Sequence, residues 1–260
     1  MTQTTTTTIE QRSPAPRWAQ TAFRVINSIV EDFGGGARPI KLATAINFHK
    51  LFTFFIILGM MEHTQNYSVG AWVYLSLHGV YGWCWLVKDA VARDSSVDKP
   101  ITFGGIACLY VFYAAWIWAL PWLFLSRHVE PSNGTLAFCI CLHTLGVVIM
   151  TAADLQKTFT LRLKKGLIAN GMFAYTRNPN FLGEIMIYAT YAILAASVFG
   201  WIFVLLQWLV LFLPRMLVKD ASLSRHPGWA EYKARSGLLI PWRILSGRAF
   251  FDHASAPRAA

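Results

Sequence analysis

The sequence predicts an all-α protein: a polytopic membrane helical bundle of about six transmembrane helices, preceded by an N-terminal interfacial amphipathic helix. Three observations lead there. Hydrophobic residues make up 55% of the 260 and charged residues only 14%, with a mean hydropathy of +0.42, far too apolar for a soluble domain of this length. Six windows, at 43–61, 69–87, 102–125, 135–153, 181–199 and 201–218, are long enough to cross a bilayer. The basic residues, finally, fall on alternate connecting segments.

Residues 1–16 are Thr-rich and read as a disordered tail, without the apolar core of a secretory signal, since the first long apolar run begins near Ala43. From 17 to 33, Trp18, Ala22, Val25, Ile26, Ile29, Val30 and Phe33 recur at helical spacing opposite Arg24, Asn27 and Glu31. That pattern predicts a helix lying on the membrane surface, ended by Gly34-Gly35-Gly36. The membrane domain is expected over 40–242, and 243–260 reads as a second disordered tail. The fifth and sixth spans are separated only around Phe199-Gly200, which predicts a tight helical hairpin.

Five Lys and Arg precede the first span, three lie in the 88–101 loop, five in 154–180 and eight after position 214. Only Lys50 and Arg127 remain. The positive-inside rule then places both termini in the cytoplasm, with the protein in a bacterial inner membrane or an endoplasmic reticulum membrane. The net charge of +10 thereby serves topology and anionic-lipid attraction; no nucleic-acid partner is expected.

Cys84, Cys108, Cys139 and Cys141 all fall inside predicted spans and read as small packing residues, with neither a metal site nor a structural disulfide. Lys50 stands near the end of the first span, from where a long side chain can snorkel to the interface. His78 and Tyr81 are three apart in the second span and share a face; they read equally as a packed polar pair or as a catalytic one. His143 is isolated and reads as a hydrogen-bonded packing residue.

The densest signal is Tyr175-Thr176-Arg177-Asn178-Pro179 running into Asn180-Phe181-Leu182-Gly183-Glu184. A carboxylate one turn into an apolar segment is costly and marks a functional site. Asn180 and Glu184 are four apart and project from one helix face, offering an amide beside a carboxylate. That pairing suits a primary carboxamide such as that of nicotinamide, with Arg177 one turn earlier, where a phosphate can bind. The preceding 154–180 loop, with Asp154, Gln156, Lys157, Arg162, Lys164 and Lys165, is basic and reads either as a solvated cytoplasmic loop or as part of an anion site. After the last span, Arg215, Lys219 and Asp220 precede Trp229-Ala230-Glu231-Tyr232-Lys233, whose two aromatics could close over a nucleotide.

These residues resemble a known superfamily over roughly 145–242. Gly171-Met172-Phe173-Ala174-Tyr175 with Asn180-Phe181-Leu182-Gly183-Glu184 resembles the C-terminal domain of the steroid 5α-reductases. Asp154-Leu155-Gln156-Lys157 and Trp229-Ala230-Glu231-Tyr232 resemble elements of the sterol C14-reductases. Glu231-Tyr232-Lys233 with Ile240-Pro241 is similar to the wider superfamily, which includes isoprenylcysteine carboxyl methyltransferases and phospholipid methyltransferases.

The resemblance implies a membrane oxidoreductase that uses NADPH to reduce a C=C bond in a lipid or steroid-like (3-oxo) substrate. It implies that Asn180 and Glu184 hold the nicotinamide end, and that Asp154, Lys157, Tyr175, Arg177, Arg215 and Tyr232 line the rest of the cofactor site. Tyr81, helped by His78, is the implied proton donor. The Gln-Glu element of the steroid 5α-reductases has no counterpart here; the first span offers Asn47, His49 and Lys50.

Two other readings follow from the same residues. An S-adenosylmethionine-dependent methyltransferase acting on an isoprenylcysteine or lipid would usually show Arg-His-Pro-x-Tyr-x-Gly where this chain has Arg177-Asn178-Pro179-Asn180-Phe181-Leu182-Gly183. Such enzymes also tend to carry a Glu pair where it has Lys219-Asp220. A non-catalytic lipid-binding protein would keep the fold alone.

Overall fold

The computed structural model describes residues 14–246, and it is an all-α membrane helical bundle. Helix α1 spans Arg17–Asp32, α2 Leu42–Thr64 and α3 Val69–Val91. Helix α4 (Phe103–Phe112) continues through a wide π turn at Tyr113–Ile117 into α5 (Ala119–Ser126). Helix α6 covers Asn133–Leu163 and α7 Pro179–Ala195. Helix α8 (Val198–Gln207) runs through a second π turn, Trp208–Phe212, into α9 (Leu213–Leu223). Two short helices follow, α10 (Trp229–Arg235) and α11 (Trp242–Leu245). The expected tails fall at 1–13 and 247–260 outside the described residues; within 243–260 the chain still begins with most of the α11 turn, which corrects that boundary.

Four segments among the described residues are long and apolar enough to cross a membrane: Leu42–Thr64, Phe103–Ser126, Asn133–Leu163 and Val198–Leu223. Helices α3 and α7 stand at the two other expected places. Helix α3 is 23 residues long but carries His78, Lys88 and Asp89, while α7 has 17 residues. Helix α7 is largely enclosed by the others, whereas α3 exposes a face with Trp72, Val80, Trp83 and Val87 and turns His78, Lys88 and Asp89 inward, so these polar side chains face protein rather than lipid.

The hairpin between the fifth and sixth spans forms, but earlier than expected. Ala196 takes a left-handed φ of 45° and the turn is Ala196–Ser197, with Phe199 and Gly200 already helical. Arg127 donates to the carbonyls of Ala195 (3.3 Å) and Ala196 (3.2 Å), satisfying acceptors that the end of α7 leaves open.

The largest correction concerns the expected 154–180 loop. Helix α6 runs through Leu163, so Asp154, Gln156, Lys157 and Arg162 are helical and their directions are set. Helices α6 and α7 approach most closely at Gly146 and Gly183: a Cβ on Gly183 would lie 2.4 Å from the Gly146 carbonyl oxygen and 2.6 Å from the Met150 nitrogen. Only glycine permits that crossing, and it fixes the rotation of the residue that follows, Glu184.

Helix α1 packs across α4 and α9 rather than lying apart from the bundle. Trp18, Val25, Ile29 and Phe33 stay exposed, while Val30 joins a small apolar core with Ala45, Ile101 and Leu109. Asn27 and Glu31, expected to face water, instead turn toward a cleft in the bundle. A two-stranded antiparallel ladder of β1 (Ile40–Lys41) and β2 (Pro100–Ile101), registered Ile40↔Ile101 and Lys41↔Pro100, closes that end.

Candidate functional site

A cleft of about 430 Å³, within the range of small-molecule sites, opens at the end of the bundle where α1, α3, α6, α7 and α9 meet. Its walls come from Asn27 and Glu31 on α1, Trp85 and Lys88 on α3, and the 94–99 loop. Asp154 and Lys157 on α6, Asn180, Phe181 and Glu184 on α7, and Arg215 and Lys219 on α9 complete it. Five of the expected cofactor residues, Asp154, Lys157, Asn180, Glu184 and Arg215, therefore converge from three helices onto one space.

Three ion pairs hold the walls together. Lys88 reaches Asp154 at 3.2 Å, Lys157 reaches Asp94 at 2.5 Å, and Lys99 reaches Glu31 at 3.0 Å. Each joins separate elements, so the pairs fix wall spacing more than they add stability. Among the described residues, Asn180 has no hydrogen-bond partner, and neither Glu184 nor Arg215 has an ion-pair partner within 4 Å. Asp154, Lys50, Lys88 and Arg215 surround Glu184 at electrostatic range. The free donors and acceptors of the site are thus an amide, a carboxylate and an exposed guanidinium.

Asp94 shows how the rim responds to acid. Burial would raise its carboxyl, but the Lys157 ammonium and hydrogen bonds from Ser96 outweigh that and hold it at about 2. A carboxyl depressed below its unfolded value of about 3.9 adds stability that is present above pH 4 and is lost as pH falls toward 2. Asp94→Asn should therefore melt below wild type at neutral pH by a small margin, with the two curves converging near pH 2. A gap that persisted at pH 2 would mean that Asp94 acts by something other than its charge.

Three expected cofactor residues lie elsewhere. Arg177 is only 6% exposed and does not reach the cleft. Its Nε donates to both Asp220 carboxylate oxygens at 3.0 Å, and its Nη1 donates to the Ser236 carbonyl at 2.5 Å. A guanidinium so engaged has no fork left for a phosphate. Tyr232 is buried and donates from its hydroxyl to the Phe173 carbonyl at 2.8 Å; burial pushes that phenol up to about 12, so it remains a donor. Its partner ring, Trp229, packs near Arg177 rather than over a nucleotide. Tyr175 lines a separate surface hollow with Ala169, Asn170, Arg235 and Arg243.

What Arg177 does is structural. Residues 175–178 run beside 237–239: the Arg177 amide donates to the Gly237 carbonyl (2.9 Å) and the Gly237 amide to the Tyr175 carbonyl (2.9 Å). Thr176 Oγ1 donates to the Leu239 carbonyl (2.7 Å) and Asn178 Nδ2 to the Leu238 carbonyl (2.8 Å). Lys219 donates to the Arg177 carbonyl (2.8 Å) and Asn178 Oδ1 (3.1 Å). This buried knot ends at Pro179, the first residue of α7, and so sets where Asn180 and Glu184 begin.

The expected His78–Tyr81 pair does not assemble. The His78 ring stacks on Tyr191 at 4.1 Å, whereas Tyr81 meets His143 and Tyr188 edge-on and Met150 by its hydroxyl. His143 hydrogen-bonds Tyr191 at 3.0 Å. Lys50 does not snorkel: it is 7% exposed and turned inward. Lys88 and Asp94 join the cleft without a sequence expectation for them, and Lys219 joins it from the basic segment after the last span. Lys88 carried the same signal as Glu184, a charge near the end of an apolar helix. No cluster of metal-ligating side chains occurs among the described residues, and the four cysteines are free.

Comparison with curated proteins and with solved structures returned no match. A family model described as "Protein of unknown function (DUF1295)" matches residues 97–235, from the cleft's outer loop through α10. The match takes in the α6–α7 crossing, the 175–178 side of the knot and all five converging cofactor candidates, and the chain belongs to this family.

Proposed function

We propose that the protein is a membrane-embedded, NADPH-dependent reductase of a C=C bond in a lipid or steroid-like substrate. The DUF1295 family is related to steroid 5α-reductase-like proteins, which agrees with this reading. The observation that carries it is the pair Asn180 and Glu184, unpartnered among the described residues and side by side in a cleft that also holds Arg215. A nicotinamide carboxamide offers one carbonyl acceptor and two N–H donors. Asn180 can donate to the former and the Glu184 carboxylate can accept from the latter, so every polar atom of the group finds a complement. Arg215, without an ion-pair partner within 4 Å among the described residues, offers a cation to phosphate. The cofactor, when bound, supplies hydride.

The cleft opens at the end of the bundle where the basic segments lie, so the proposal includes its orientation: multi-pass, both termini cytoplasmic, cleft toward cytoplasmic cofactor. An apolar substrate would enter between helices from the bilayer. A reporter fused to the C-terminus should read cytoplasmic, and a tag beside Asn133 should label from the opposite side. A C-terminus on the outer side would put the cleft in the wrong compartment.

Titration of the purified protein with NADPH and with S-adenosylmethionine tests the reading directly. Saturable NADPH binding is expected, and S-adenosylmethionine should leave the protein unchanged. Binding of S-adenosylmethionine alone would transfer the site to methyl-transfer chemistry, and binding of neither would leave a lipid-binding protein.

A further inference from the structure

A second concavity, of about 580 Å³, opens beside the knot and shares no lining residue with the cleft. The small residues Ala169, Gly171 and Ala174 leave it open, while Arg235 from α10 and Arg243 from α11 bring two guanidiniums to it. No Asp or Glu among the described residues lines it. Gln156 holds its backbone in place: Nε2 donates to the Asn170 carbonyl at 2.9 Å, and Oε1 accepts from the Met172 amide at 2.8 Å. Between those two residues Gly171 takes a φ of 56°, and a Cβ there would lie 2.6 Å from Gln156 Oε1, so the shape depends on glycine. Arg235 spends one N–H on the Ala169 carbonyl (3.3 Å) and has no ion-pair partner within 4 Å among the described residues.

The knot sets the depth of this hollow. Residues 175–178 and 237–239 run parallel, so the chain reaches α11 at about the depth at which it enters α7. The apolar run of α7 starts there, at Phe181. Ile240, Trp242, Ile244 and Leu245, on either side of Arg243, are all exposed. Acyl chains accept such a group where water does not. The Arg243 guanidinium stands 5.9 Å from the centre of the Trp242 ring, an aromatic and a basic residue paired where an apolar segment begins. Cationic groups and apolar side chains thus meet at the level of the lipid headgroups.

We infer that this hollow binds the phosphate of an anionic glycerophospholipid, with Arg235 and Arg243 on the phosphate and Ile240, Trp242 and Leu245 against the acyl chains. A guanidinium presents a planar fork of N–H donors that matches two phosphate oxygens. Two cations with no carboxylate beside them favour a headgroup of net negative charge over a zwitterionic one, whose cationic end they repel. The site stands apart from the reductase reading, because it shares no residue with the cofactor cleft. A lipid held here ties α10, α11 and the 169–175 segment to the membrane surface, around the knot that fixes where α7 begins.

The experiment needs no turnover. The full chain in detergent is titrated with phosphatidylglycerol and with phosphatidylcholine of the same acyl chains, and the first bound lipid is measured by native mass spectrometry. Phosphatidylglycerol should bind about 25-fold tighter, roughly 5-fold for each arginine at the membrane surface. Arg235→Gln with Arg243→Gln should bring the two lipids to equal affinity. Arg235→Lys with Arg243→Lys should keep most of the preference. Lys164→Gln with Lys165→Gln, which removes two exposed cations outside the hollow, should leave it unchanged. If the glutamine pair does not fold, the single variants, each expected to lose about 5-fold, carry the test.

Equal affinity of the wild type for the two lipids would overturn the proposal. So would a preference that survives in the glutamine variants, or one that the Lys164–Lys165 variant loses, since the effect would then be general surface charge. Competition separates the other anions. Displacement of phosphatidylglycerol by millimolar inorganic phosphate would make the hollow a free-ion site. Displacement by NADPH, with weaker NADPH binding in the arginine variants, would give it to the cofactor, and either result overturns the lipid assignment. Absence of NADPH binding in the wild type would sink the reductase reading alone, because the lipid measurements use no cofactor.

Discussion

Arg177→Met is expected to destabilise the protein by about 3–5 kcal/mol, the cost of removing one partner from a buried charge pair. The Asp220 carboxylate would be left without its fork, and the Ser236 carbonyl without its 2.5 Å donor. Because the same knot ends at Pro179 and sets where Asn180 and Glu184 begin, any loss of cofactor affinity should accompany the loss of stability. Asp220→Leu in the same background should restore part of the loss, since the stranded carboxylate is gone. Denaturant melts of the three variants, read beside NADPH affinity at low temperature, provide the check. If Arg177→Met lost cofactor affinity with unchanged stability, Arg177 would be a phosphate ligand after all.

Glu184→Gln is expected to cost 5- to 150-fold in NADPH affinity. The amide keeps the size of the carboxylate but puts a donor where an acceptor is needed, and one unpaired polar group costs on the order of 1–3 kcal/mol. Asn180→Ala should weaken NADPH by a similar factor. The double variant should be less than additive, because both side chains serve one carboxamide. The fold should survive, since removing a carboxylate from an apolar helix relieves a desolvation penalty. If Glu184 were only a counter-charge for Lys50, Lys88 and Arg215, Glu184→Gln would lower the melting temperature and leave affinity alone. Unchanged affinity in both single variants would end the reductase reading.

Glu184 and Arg177 mark how far pattern carries. Asn180 and Glu184 were legible because their relation is local: four residues on one helix fix a shared face whatever surrounds them. For Arg177 pattern is not enough, because the choice between a phosphate and a carboxylate depends on Asp220, which only the return of α9 brings alongside. Tyr232 differs in the same way, its hydroxyl claimed by a carbonyl 59 positions away in sequence. The snorkelling expected of Lys50 fails because the rule for lysine near a helix end contains no information about rotation. The crossing at Gly82, where a Cβ would lie 2.3 Å from the Lys50 carbonyl oxygen, turns it inward.

The sequence by itself determined the fold class, the approximate places of the long apolar helices and the shared face of Asn180 and Glu184, because apolar length and helical period are properties of consecutive residues. The folded chain alone decided that α6 extends through Leu163, which residues share the cleft, and which charges are spent on each other. Helix packing is set by glycines at close crossings and by buried acceptors supplied from distant segments. Neither leaves a periodic trace in the residues it positions.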